Sequence, residues 1–167
     1  MNPGTEGGGL TTEIGNNSLF MTGVHIAHDC IVGSNTVFAN QATLGGHVTV
    51  GDSAILGGLS AVHQFCRIGT LAMIGGLSAV HNDVIPYGLV SGNRAKLDGV
   101  NLIGLKRASY SSEMIKDFSK IVNSIFSSNS IESKSFEFKD SDNELVINLC
   151  NFIKSESNRG LCPYAKK

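Results

Sequence analysis

The sequence predicts a mainly β protein, a parallel β-helix of hexapeptide repeats followed by a small α-helical C-terminal domain. Three observations predict it. First, large apolar residues recur every six positions without a miss: Ile14, Phe20, Ile26, Val32, Phe38, Leu44, Val50, Leu56, Val62, Ile68, Ile74 and Val80. Second, charge divides the chain. Residues 1–86 hold six charged side chains (Glu6, Glu13, Asp29, Asp52, Arg67 and Asp83) and 15 of the 20 glycines, and the remaining charges lie beyond. Third, apolar residues return after residue 111, now at helical spacing.

Neither a helix, with period 3.6, nor an alternating strand, with period 2, produces a six-residue pulse. A buried apolar anchor with small neighbours every six residues is the signature of a hexapeptide β-helix. The residue after each anchor is Gly in seven cases and Ala in two, and the residue four places on is always Ser, Val, Cys, Thr or Ala. Anchors then fill a narrow core and small residues sit near the corners. Three hexads close one triangular coil of 18 residues, and successive coils stack about 4.8 Å apart. Four such coils are present. The expected division is β-helix over 1–90, a linking segment over 91–110 and a helical domain over 111–167.

Within the last unit, Ile115, Phe118, Ile121, Val122, Ile125 and Phe126 mark a helix over 112–127, with Ser111 or Ser112 as N-cap. Ser141 and Glu144 read as a capping box ahead of Leu145, Leu149, Phe152 and Ile153. A third helix is expected within 130–139. None of these helices carries a catalytic constellation, so packing is their expected task.

Composition narrows the function. A net charge of −1 over 167 residues argues against a nucleic-acid binder held by bulk charge. No apolar run approaches the roughly 20 residues of a membrane span. The start, MNPGTEGGGL, shows no basic region followed by an apolar one, so a cytoplasmic protein is expected. Cys30 and Cys66 lie two coils apart, about 9–10 Å by stacking and too far for a disulfide. Reduced, buried thiols are the expectation for all four cysteines.

The 18-residue frame also sorts the polar side chains. The third face, anchored by Ile26, Leu44, Val62 and Val80, carries all five histidines: His25, His28, His47, His63 and His81. Stacking sets Gly46, Gln64 and Asn82 successively over His28, and His47 over Asp29. Two chemistries compete for such a face. A histidine with a carboxylate beside it suits general-base catalysis, since the carboxylate fixes the tautomer and stabilises the imidazolium. Three histidines with an open fourth position suit zinc. The plain alternative, for His25 or His81 alone, is a packing histidine satisfied by backbone.

The stretch HIAHDCIVGSNTVFANQATLGGHVTVGDSAILGGLSAVHQFCRIG, followed by GNRAKLDGVNLIGLKR, resembles the UDP-N-acetylglucosamine O-acyltransferase family, whose reaction opens lipid A biosynthesis. The resemblance runs from about Gly4 to Arg107 and resumes weakly at NRGL in the tail. It implies a left-handed coil, a homotrimer and no cofactor or metal. It implies His28 as general base toward the glucosamine 3-hydroxyl, helped by Asp29, and the Gly46 N–H as oxyanion donor. The acyl donor would be a 3-hydroxyacyl thioester on acyl carrier protein. His25, His47, His63 and Gln64 would line the substrate site, and Gly76 matches the position that sets acyl length. Asn101 and Arg107 match residues that bind acyl and nucleotide phosphate groups. Arg94, Lys96, Lys106 and Arg107 are candidates for docking the acidic carrier, with scattered solvated charge as the equal alternative.

The family's chains begin with further coils that carry an acidic and a lysine contact to substrate. A chain lacking those front coils, with weakened nucleotide binding, is therefore expected. Other readings stand beside this one: a non-catalytic trimeric remnant, an N-acyltransferase on a related amino sugar, and a γ-type zinc carbonic anhydrase.

Overall fold

In the computed structural model, which describes residues 1–165, the twelve anchors become twelve strands. From β1 (Glu13–Ile14) to β12 (Ala79–Val80), each strand is two residues long and ends on an anchor. Pairing is parallel at an offset of 18 residues, as in Ile14↔Val32, Val32↔Val50 and Val50↔Ile68. Three sheets result, of four, six and four strands, one for each face of the prism. The third face contains β3 (His25–Ile26), β6 (Thr43–Leu44), β9 (Ala61–Val62) and β12 in consecutive register. The hexapeptide reading holds in every coil.

The core is a set of stacked columns. Phe38, Leu44, Leu56 and Ile74 are fully buried, and the small residues four places after the anchors (Cys30, Ala42, Val48, Ala54, Cys66 and Ala72) are fully buried with them. Each fully buried large anchor contributes roughly 1.5–3 kcal/mol of apolar burial, whereas Ile14 is exposed and Phe20 half-buried. A larger residue at the small positions would have no room in a prism this narrow.

Corners are made by a left-handed residue three places after the anchor. Asp29, Asn35, Gln41, His47, Ser53, Leu59, Phe65, Leu71 and Leu77 all have φ between 56° and 66°. For a residue with a Cβ this costs about 1–2 kcal/mol. The cost is offset by stacking, because such a residue's N–H donates to a carbonyl one coil back: Asn35 to Asn16 at 2.8 Å, His47 to His28 at 3.0 Å, Phe65 to Gly46 at 3.0 Å. The corners thus throw side chains outward in vertical rows.

Beyond the last coil, β13 (Gly88–Ser91) adds a parallel strand beside Met73–Ile74, and β14 (Lys96–Val100) folds back antiparallel to it. Four helices follow: α1 (Leu102–Arg107), α2 (Ser112–Phe126), α3 (Ile131–Phe136) and α4 (Glu144–Lys154). Ser111 caps α2, and its buried face is Ile115, Phe118, Val122 and Ile125. Phe118 meets the buried Tyr87 ring edge-on at 5.5 Å, and the Tyr87 hydroxyl accepts from Asn148 at 2.7 Å. Burial pushes the Tyr87 phenol up to about 12.

One local expectation is corrected. Ser141 and Glu144 do not form a capping box; Asn143 is the N-cap of α4, its Oδ1 accepting from the Leu145 N–H at 3.1 Å. Because the helix begins at Glu144, the Asn143 side chain is the one within reach of the open N–H groups, and the Ser141 hydroxyl accepts from the Asn143 N–H instead.

The tail after α4 returns to the prism and is latched there by Arg67 and Asp83. The Arg67 Nε donates to Asp83 Oδ2 at 2.6 Å, and the Ser157 hydroxyl donates to the same oxygen at 2.7 Å. The guanidinium also lies 4.3 Å over the Phe152 ring of α4. All four cysteines are free and buried, and desolvation pushes Cys66 and Cys162 up to about 12. Among the described residues no helix is long and apolar enough to cross a membrane.

Candidate active site

His28 follows the anchor Ile26 by two residues and Asp29 by three, so both sit on the corner that ends β3. The left-handed turn at Asp29, φ 56°, points the two side chains at each other. His28 Nδ1 lies 2.8 Å from Asp29 Oδ2. Elsewhere the left-handed residue bonds to a carbonyl one coil back; here the Asp29 N–H donates to the Thr12 hydroxyl at 2.9 Å.

The Asp29 side chain is only 2% exposed. Thr5 reaches it twice, its hydroxyl donating to Oδ2 at 2.6 Å and its N–H to Oδ1 at 2.9 Å. Gly8 lies so close that a Cβ there would fall 2.3 Å from the Asp29 Cγ. Those two Thr5 bonds, hydroxyl first, hold the carboxyl well below the usual carboxylate range, aided by the His28 bond and by His47, with burial opposing. An ionised carboxylate only accepts, so His28 carries its proton on Nδ1 and presents the Nε2 lone pair outward. Nε2 is the basic atom of the site.

Gly46, one coil along, faces that imidazole. A Cβ on Gly46 would lie 2.6 Å from His28 Nε2 and Cε1, closer than real contacts allow. The absent side chain therefore leaves room for a reacting group against Nε2. The Gly46 carbonyl accepts from Phe65, whereas its N–H has no partner among the described residues and remains available as a donor. An imidazole with its Nε2 lone pair outward and an unspent backbone donor thus share one corner, so the corner can both accept a proton and donate to an oxygen.

His47, at the same corner, meets the His28 ring edge-on with centroids 5.0 Å apart and stacks on Phe65 at 4.7 Å and 11°. His28, Asp29 and His47 bring their ligand-capable atoms within 4.8 Å of one another. Among the described residues His63 lies apart from this group, paired with His81. Asp29 already has its oxygens occupied by Thr5 and His28.

The five histidines do not make one line. His63 pairs with His81, rings 5.6 Å apart, and His25 stands exposed on β3. The corner positions differ, since His63 and His81 directly follow their anchors while His28 and His47 come two and three places after theirs. His81 Nδ1 lies 3.2 Å from the Ala79 carbonyl. Gln64 keeps an exposed side chain, and its carbonyl receives Arg159 Nε at 2.8 Å.

Three candidates lie away from this corner. Gly76 is exposed at the neighbouring corner, stacked on Gly58, where a Cβ would press on the Gly58 carbonyl oxygen at 3.3 Å, a tight contact. Asn101 is buried and caps α1; its Oδ1 accepts from Gly104 at 3.0 Å and its Nδ2 donates to Leu71 at 2.9 Å. Arg107 ends α1, exposed. Among the described residues it makes no ion pair, and neither do Arg94, Lys96 or Lys106.

Sequence reasoning missed Thr5, Thr12, Gly8, Phe65 and Arg159. Phe65 was findable, 18 residues after His47. Thr5 and Gly8 precede the first hexad and belong to no period.

Comparison with known proteins bears on the fold and the family. A family model described as Udp N-acetylglucosamine O-acyltransferase, domain 2, matches residues 83–162, and a bacterial transferase hexapeptide model matches 11–46. A relative from Rickettsia bellii, acyl-[acyl-carrier-protein]–UDP-N-acetylglucosamine O-acyltransferase, is 58% identical over 98% of this chain. Over nearly its whole length the chain is similar to the UDP-N-acetylglucosamine O-acyltransferases. Its fold agrees with the solved UDP-N-acetylglucosamine acyltransferase of Campylobacter jejuni, at TM-score 0.91 and 37% identity over 97% of the chain. The Arabidopsis enzyme of that name gives 0.84 and 41% over 91%. The chain spans 59% of the Rickettsia relative, 64% of the Campylobacter chain and 57% of the Arabidopsis one.

Proposed function

We propose that the chain transfers a 3-hydroxyacyl group from acyl carrier protein to the 3-hydroxyl of UDP-N-acetylglucosamine, in lipid A synthesis. The observation that carries the reading is the corner itself: His28 Nε2 free, Nδ1 held by Asp29, and the Gly46 N–H unspent beside it. The names of the relatives supply the substrates.

In this mechanism the sugar hydroxyl gives its proton to His28 Nε2 as its oxygen attacks the thioester carbonyl. Asp29 stabilises the imidazolium without taking the proton. The carbonyl oxygen, negative in the tetrahedral intermediate, accepts from the Gly46 N–H, a contact of the kind worth about 3–4 kcal/mol in a preorganised site. The intermediate then expels the carrier thiolate, the C–S bond breaks, and His28 returns its proton to the sulfur. His25, His47, His63 and Gln64 line the acceptor site, and Gly76 leaves space for a long acyl chain. Arg107 is available for phosphate, and the exposed cations of β14 and α1 for the acidic carrier.

A homotrimer is part of the proposal. Leu59 and Leu77, 18 residues apart on one corner row, are 55% and 72% exposed, apolar side chains that a second copy would cover. Work in the cytoplasm fits the free thiols.

The test is acyl transfer by the purified chain from 3-hydroxyacyl carrier protein to UDP-N-acetylglucosamine, with His28→Ala alongside. Turnover abolished by that substitution supports the reading. Absence of turnover in a folded trimer overturns it in favour of a non-catalytic assembly.

A further inference from the structure

The tail motif Asn158–Leu161 has no task in the mechanism above, yet it lies on the histidine face. Its main chain behaves as one more strand there. The Asp83 N–H donates to the Gly160 carbonyl at 2.8 Å, the Cys162 N–H donates to the Asp83 carbonyl at 2.8 Å, and Asn82 Nδ2 donates to the Arg159 carbonyl at 2.7 Å. With Ser157 bonded to Asp83, the backbone on either side of Arg159 is fixed to the last coil.

From that position the Arg159 side chain reaches back one more coil. Its Nε donates to the Gln64 carbonyl at 2.8 Å, and Nη2 lies 2.7 Å from His63 Nδ1. A guanidinium has donors only and stays protonated, so at 2.7 Å the His63 Nδ1 must offer its lone pair. The competing arrangement is also present: the Gln64 carbonyl, 3.3 Å away, would accept from Nδ1–H if Arg159 were absent. His63 therefore has two possible tautomers, and Arg159 selects between them.

We propose that Arg159 is a positioning residue that locks His63 in the Nε2–H tautomer, so that His63 presents a hydrogen-bond donor to the oxygen-rich acceptor. The fork makes two bonds from one planar group, which fixes ring orientation as well as protonation site. The C-terminal segment, 96 residues away in sequence, thereby sets the donor pattern of the site wall. The tautomer is a property of the resting protein; only its use on the acceptor rests on the proposed acyltransferase reading.

The experiment reads both. In the uniformly 15N-labelled full chain without substrate, long-range imidazole 15N–1H correlations assign each histidine's tautomer. His63 is expected as Nε2–H in the parent chain, shifting toward Nδ1–H in Arg159→Met, with Arg159→Lys retaining Nε2–H in part. In the acyl-transfer assay, Arg159→Met should lower kcat/KM on the order of 10-fold, mainly through KM for the sugar nucleotide. A parent chain with His63 as Nδ1–H overturns the proposal, even should the Met variant not fold. An Nε2–H signal unchanged in Arg159→Met overturns it equally. A chain without turnover whose His63 still switches tautomer would remove the acyltransferase reading and leave the lock standing.

Discussion

Replacing Asp29 by Asn changes one atom and should disable the base. In the parent chain Oδ2 receives two donors, the Thr5 hydroxyl at 2.6 Å and His28 Nδ1 at 2.8 Å, and Oδ1 receives the Thr5 N–H at 2.9 Å. An Asn amide has one acceptor and one donor end, so either orientation turns its NH2 toward a group that now donates. Facing Thr5 N–H is the worse choice, because a backbone N–H cannot turn away. The NH2 therefore takes the Oδ2 side, where the Thr5 hydroxyl rotates and His28 is forced to the Nε2–H tautomer. The lone pair of Nε2 is then lost at the atom that accepts the sugar proton in the proposed mechanism. The corresponding substitution in a Ser-His-Asp triad lowers kcat roughly 10⁴-fold by the same tautomer switch, and a loss of roughly 10³- to 10⁴-fold is expected here. Acyl-transfer kinetics on Asp29→Asn, His28→Ala and the double variant provide the assay. The double variant should be no slower than the slower single one, since both remove one function. Asp29→Asn turnover within 10-fold of the parent would refute the assignment of Asp29 as the group that sets His28.

Three further outcomes are expected. Gly46→Ala would put a Cβ 2.6 Å from His28 Nε2, so the imidazole must move; turnover should fall at least on the order of 100-fold with melting little changed, checked by kinetics and calorimetry. Arg67→Met leaves Asp83, which is fully buried, without its cation; about 3–5 kcal/mol of stability should be lost, read as a Tm lower by roughly 10 °C. Because the folded-state Asp29 carboxyl is depressed, its stabilising contribution is present above the ordinary carboxylate range and is lost only as pH falls through the lowered value. Thr5→Val removes the largest cause, so carboxylate titration followed by 13C NMR should find the Asp29 midpoint moved upward; an unmoved midpoint would deny Thr5 its role.

The prism was legible because its physics is periodic. A narrow core repeats the same packing problem every six residues, and the ten anchors from Ile26 to Val80 answer it by burial, while Ile14 is exposed and Phe20 half-buried. Stacking by 18 likewise brings Gly46 to His28 by arithmetic alone. Helices α2 and α4 were legible by their apolar spacing, whereas α1 lies within the segment expected as a linker. The α4 cap was not legible, since Ser141 and Asn143 are both good caps and only the chain's path decides which reaches Leu145.

By itself, then, the sequence determined the coil, the corner that carries His28 and Asp29, and the glycine left open opposite the His28 imidazole. Tertiary structure alone decided what surrounds them: Thr5 and Gly8 against the Asp29 carboxylate, two separate histidine pairs instead of one row, and Arg159 on His63. The physical reason is range. A repeat encodes contacts between equivalent positions of adjacent coils, whereas Thr5 and Arg159 come from segments outside the repeat, and their arrival depends on how a loop and a tail settle on the finished prism.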